Sequence, residues 1–186
     1  MGDPLPRPAT LSPVSTGIPG SGIPAPGEGP LPLERFLAVR GDIELLVADL
    51  GVTRVALFDV DELAEAQIGY ATGADDEDLT GTEPGQWRPL WLVAGEEEST
   101  QVALLVDLED EQLPVLAATE DADGWAPVAL APGYAAFAAL LGELEQLAAS
   151  GAPPHQLLAR AAAAAVPAGD AAAAAAHRIW ETWLLS

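Results

Sequence analysis

The residues able to do chemistry are few in kind. The chain carries two histidines, His155 and His177, and has no cysteine and no lysine. Without lysine there is no Schiff base and no phosphate-cradling P-loop. Without cysteine there is no thiol nucleophile, zinc–thiolate site or disulfide. His177 and Glu181 stand four apart and share a helix face, but a metal site wants at least three protein ligands, so the pair reads as a surface helical contact. Carboxylates are the abundant group. Asp75, Asp76, Glu77 and Asp78 run consecutively, as do Glu96, Glu97 and Glu98, and Asp121 and Asp123 flank Ala122 ahead of Gly124. A calcium loop alternates its acids, adds a glycine and ends on a glutamate; neither the first run nor the last completes that pattern. Paired carboxylates of the glycosidase kind need a selected spacing, and abundance is no sign of selection. The glycines at Gly20 and Gly22 follow no strand and open no helix, so they are no dinucleotide fingerprint. No metal and no cofactor is expected.

Charge narrows the partners. With 29 acidic and 7 basic residues, every basic one an arginine, the formal net charge is −22. Such a field repels nucleic acid and anionic membrane surfaces and attracts basic partners; solubility alone is the competing reason for it. The longest uncharged apolar stretch, around Ala161–Ala176, is broken by Pro167, Gly169 and Asp170 and is too interrupted to span a bilayer. Met1–Thr10 has no continuous apolar region and does not read as a signal peptide. A cysteine-free chain fits a reducing cytoplasm.

The elements that must position the acids centre on Trp87–Leu141. Four short apolar runs occur there, Trp87–Ala94, Thr100–Leu108, Leu113–Ala118 and Trp125–Leu130, separated by acidic connections of hairpin length. Strands joined so are sequential antiparallel neighbours, a meander. The run Val102–Val106 is apolar on both faces, which marks a central strand. Pro89 has no N–H for a ladder, so the first run is expected at an edge or to begin with a bulge. Pro132–Ala149 places Tyr134, Phe137, Leu140, Leu141, Leu144 and Leu147 on one helical stripe and supplies the cover for a sheet face.

Around this centre, residues 1–31 are rich in Pro, Gly and Ser and read as an unfolded leader, with a proline-rich ligand for another domain as the alternative. Pro32–Leu50 has the spacing of a helix, with Pro32 in its first turn and Gly51 at its stop; Gly41 is a weak point inside it. Thr53–Phe58 reads as a strand, and a short helix runs through Ala66. Residues 150–186 hold two alanine-rich helices turning at Pro167, docked as a hairpin by Trp180, Trp183 and Leu184. The domain proper is 32–149. The fold class expected is α+β: an antiparallel meander of four to five strands, helices packed on one face, and a C-terminal helical hairpin.

The order of motifs resembles the SUKH superfamily, which includes fungal cell-wall-synthesis regulators and many bacterial immunity proteins. The residues that carry the likeness are the tryptophan strand ending in a small residue and glycine (Trp91 to Gly95), a strand ending in aspartate (Leu104 to Asp107), the segment PVLAATE, the segment GWAPVA from Gly124, and the closing helix GYAAFAALL. Upstream, Val55–Ala66 and Gly69–Tyr70 resemble that family's strand, short helix and Gly-Tyr entry. Glu96, Glu97 and Glu98 occupy a position where the family often has acidic or polar residues.

The resemblance implies a non-enzymatic protein that binds a cognate toxin, often a basic enzyme, and blocks it. A regulatory or scaffold protein of the same fold is the alternative. Steering by a −22 field suits a cationic partner. The residues expected at the interface are Asp75, Asp76, Asp78, Glu96, Glu97, Glu98 and Asp107. Trp87, beside Arg88 and Pro89, is expected as an exposed aromatic anchor.

Overall fold

The computed structural model describes residues 30–164 and 169–185; the proline-rich leader and the Pro167 turn lie outside them. The chain opens with helix α1, Pro32–Gly41, whose first proline suits the N-terminal turn. The helix stops at Gly41 instead of running on to Leu50. Beyond it the buried residues alternate: Ala48 and Leu50 point inward while Val47 and Asp49 face out. That is a period of two, and it builds strand β1, Val47–Asp49. Gly51, at φ +81°, turns the chain into β2, Arg54–Leu57. The helical spacing of the leucines from Ile43 to Leu50 is therefore overridden by pairing with β2.

A one-turn helix, α2 (Leu63–Ala66), and a long irregular connection lead to β3, Trp91–Glu97, and β4, Val102–Asp107. Then come β5, Val115–Ala117, a small hairpin of β6, Glu120–Asp121, and β7, Gly124–Trp125, and finally β8, Val128–Ala131. The main sheet has the order β1-β2-β3-β4-β5-β8, and every neighbouring pair is antiparallel. The meander is as expected, lengthened at its start by β1 and β2. The fourth apolar run is split in two, because Trp125 belongs to the small hairpin and Pro127 interrupts the ladder.

Pro89 does not make β3 an edge. It lies in the turn before the strand, which the Trp91 N–H closes onto the Arg88 carbonyl at 3.1 Å. β3 itself sits between β2 and β4 and takes a bulge between Val93 and Gly95. Gly95 permits it: a Cβ there would stand 2.3 Å from the Ala56 carbonyl oxygen on β2.

The sheet has two covered faces of different make. On one, Leu57, Leu104, Val106 and Leu130 pack against helices α1, α3 (Tyr134–Ala149), α4 (Pro154–Ala164) and α5 (Asp170–Leu185), with Phe36, Phe137, Leu144 and Trp180 at the centre. Trp180 and Trp183 stack edge-to-face at 5.1 Å, and Trp180 meets Phe137 at 6.1 Å, so the last helices share the core of the sheet. On the other face the only helical cover among the described residues is the one-turn α2, through Ala66. Val93, Ala103 and Leu105 are covered by Tyr70 and Trp87 from the connection ahead of β3, by Trp91 at the start of β3, and by Trp125 from the β6–β7 hairpin.

Candidate protein-binding surface

The aromatic face is where the site-bearing loops converge. Gly85 and Gly124 touch backbone to backbone: a Cβ on Gly85 would fall 1.9 Å from the Asp123 carbonyl oxygen, and the Trp125 N–H donates to the Gly85 carbonyl at 2.9 Å. This contact locks the loop before Trp87 against the β6–β7 hairpin. Tyr70 then lies between two indoles, 5.0 Å from Trp87 and 5.6 Å from Trp125. Glu120 stands opposite Trp125 in the hairpin register. Glu96 pairs across β3–β4 with Ala103, whose side chain belongs to this face. Burial, and then the negative charges of Glu96 and Glu120, push the Tyr70 phenol above its usual range.

The acidic residues singled out in the sequence have different fates. Asp75, Asp76 and Asp78 are exposed in the turn that the Gly73 N–H closes onto the Glu77 carbonyl at 2.7 Å. Asp76 adopts φ 60°, which aspartate tolerates. Asp78 folds its carboxylate back on Thr80, accepting from the backbone N–H at 2.9 Å and from the hydroxyl at 2.7 Å. Those bonds hold its carboxyl below the ordinary range. Glu98 is half-buried in an ion pair with Arg54 at 2.7 Å. Asp107 ends β4 half-buried, and its Oδ1 accepts from the Glu109 N–H at 3.0 Å.

Two expectations are corrected. Glu97 is not available to a partner: it is 0% exposed. Its register partners Val55 and Val102 turn it toward the helix side of the sheet, away from Glu96. There Oε1 accepts from the Ser99 N–H at 3.0 Å and from the hydroxyls of Ser99 and Thr53, while Oε2 accepts from the Thr100 N–H at 2.8 Å and from its hydroxyl. Burial opposes its ionisation, but the hydrogen bonds from Ser99, Thr100 and Thr53 together outweigh it and the carboxyl sits below its usual range. Glu97 is the pin of the β3–β4 turn. Trp87 is no exposed anchor either. It is 1% exposed, stacked edge-on against Trp91 at 5.7 Å and Trp125 at 5.1 Å, and its indole N–H is spent on the Trp91 carbonyl at 3.0 Å.

Sequence reasoning missed Arg88, Tyr70 and Trp125 as surface-building residues. Arg88 lays its guanidinium 5.3 Å above the centre of the Trp91 ring. Among the described residues the ion pairs are Arg40–Asp59, Arg54–Glu98 and Arg160–Glu143, and Arg88 enters none. The signal was present: in so acidic a chain, an arginine beside a tryptophan and a proline invites the question of what it pairs with. Among the described residues no three His, Asp or Glu side chains converge as metal ligands, and no helix is long and apolar enough to cross a membrane. No protein-family model, curated protein or solved structure matches the chain.

Proposed function

We propose that this chain is a non-enzymatic protein-binding domain that neutralises a cognate basic toxin, working in a reducing cytoplasm. One observation carries the reading: a net charge of −22 is left largely uncompensated at the surface. Asp75, Asp76 and Asp78 face solvent with no cation beside them among the described residues, and Glu96 borders the aromatic face likewise. Unpaired carboxylates around a rigid aromatic platform give fast electrostatic steering and a fixed contact surface for a cationic partner. The motif resemblance to the SUKH superfamily supports the choice of a toxin as that partner. The absence of cysteine supports the compartment.

The test is co-purification and calorimetry with the product of the adjacent gene. A complex whose affinity falls with salt, and falls further in Asp75→Lys/Asp76→Lys and in Glu96→Lys, is the expected result. Binding that ignores both salt and charge reversal would remove the electrostatic basis of the reading.

A further inference from the structure

Two adjoining cavities, of about 320 and 400 Å³, lie on either side of the Arg88–Trp91 stack. They share Thr82, Arg88, Trp91 and Asp107, so they form one groove. One end is closed by Leu90 and Glu109, and the other by Leu116, Trp125 and Pro127. Its floor is aromatic, from Trp91 and Trp125, and its rim is polar, with Thr82, Glu83, Gln86, Asp107 and Glu109. Among the described residues, the buried side-chain polar atoms without a partner are Arg35 Nε, Arg40 Nη2, Tyr134 Oη and Trp180 Nε1. The indole N–H groups of Trp91 and Trp125, two lining residues, are not among these and have no acceptor among the described residues, so they are accessible donors. Arg88 adds more donors without a carboxylate of its own.

We propose that this groove takes an extended proline-rich segment of a protein partner, a proposal that rests on the protein-binding reading above. A polyproline II strand leaves every carbonyl unpaired, and its prolines carry no N–H. It therefore supplies acceptors to Trp91, Trp125 and Arg88, and its prolines bring no backbone donors over the aromatic floor. Its rings lie flat on aromatic side chains, which is how such segments are held in other grooves. A helix keeps its carbonyls to itself. The rim sets the charge: Glu83, Asp107 and Glu109 face a single Arg88, so the favoured segment carries a basic residue beside its prolines, in keeping with a cationic partner.

The experiment titrates the full chain with two synthetic peptides and follows tryptophan emission and amide shifts. One is an oligoproline ending in arginine; the other is a glycine–serine peptide of the same length and charge. Saturable binding of the first alone is expected, with shifts confined to the groove. Trp125→Phe keeps an aromatic ring, though a smaller one, and removes the N–H, and should weaken binding about threefold to tenfold. Arg88→Ala, at an exposed side chain with no ion pair, should weaken it about threefold without loss of fold. Equal response to both peptides, no response, or affinity untouched by both variants overturns the proposal. So does self-association abolished by Trp125→Phe, which would assign the groove to a second copy of the chain. Binding of a folded basic protein that survives while the oligoproline fails sinks the groove proposal alone and leaves the electrostatic reading standing.

Discussion

The hydroxyl of Thr53 donates to the carboxylate of Glu97 across 44 positions of sequence, tying the β1–β2 hairpin to the β3–β4 turn. Glu97→Ala strips the acceptor from the buried Thr53 hydroxyl and from Ser99 and Thr100, whose side chains water can reach. With one buried donor left unpaired and the others rehydrated, the loss is expected at about 1–3 kcal/mol; equilibrium denaturation should show the midpoint fall with no change in slope. The sign of the pH dependence follows from a carboxyl held below its ordinary value. Its contribution is complete above the unfolded glutamate value of 4.5 and is lost as pH falls through the folded one. Glu97→Gln should flatten that acid limb, so a wild-type limb unchanged by the substitution would contradict the assignment.

Trp180 is completely buried against Phe137 and Trp183, in a helix that follows the last strand by some forty residues of chain. If α5 shares the core as the packing indicates, Trp180→Ala should cost about 3–5 kcal/mol, the range for emptying an aromatic core site. Unfolding should remain a single transition. A separate early transition for the C-terminal helices, with the sheet unaffected, would show a merely appended hairpin.

Tyr134 is buried beneath α1, 5.0 Å from Phe36, and its hydroxyl has no hydrogen-bond partner among the described residues. Burial pushes its phenol up from 10.0 to about 12, with the nearby Arg40 charge pulling the other way. The proton is thus held more tightly in the folded chain, so stability is complete below pH 10 and declines as pH rises from 10 toward about 12. Tyr70 and Tyr134 are the only tyrosines, so phenolate absorbance reads these two alone. Tyr134→Phe should delete the later step. Because it removes an unpaired buried hydroxyl, it should leave stability unchanged or raise it by up to about 1 kcal/mol.

Much of this architecture was legible because it rests on short-range pattern. The four apolar runs and their acidic turns gave the meander, and the stripe from Tyr134 to Leu147 gave the helix that covers it. What sequence hid was a matter of tertiary choice. Ile43, Leu46, Val47 and Leu50 satisfy a helical spacing, and only pairing with β2 selects the strand reading. Three adjacent glutamates look alike on paper, but the bulge at Gly95 decides which way each points. It sends Glu96 to the aromatic face and Glu97 inward among hydroxyls, while Glu98 meets Arg54. Trp87 loses its expected exposure through another tertiary contact: Gly85 against Gly124 packs its loop onto the hairpin, with Trp125 left half-buried.

Two glycines make the bulge testable through opposite outcomes of one substitution. At Gly95 a methyl group would lie 2.3 Å from the Ala56 carbonyl oxygen, closer than packed atoms tolerate, and that oxygen belongs to the backbone of β2 and cannot swing aside. Gly95→Ala must therefore push β2 and β3 apart, at a cost of about 1–3 kcal/mol. Gly41, the last residue of α1, has no atom within 4 Å of where its methyl would stand, and its φ is not positive. There alanine meets nothing, favours the helix, and narrows the unfolded ensemble, so Gly41→Ala should stabilise by about 0.5–1 kcal/mol. Thermal denaturation of both variants reads the difference. The Gly95 variant should also disturb the amide signals of Glu96 and Glu97, because the bulge that sets which of them faces inward is displaced. If Gly95→Ala is as harmless as Gly41→Ala, the strands are not as close as this register requires, and the assignment of Glu96 to the aromatic face and Glu97 to the interior loses its cause.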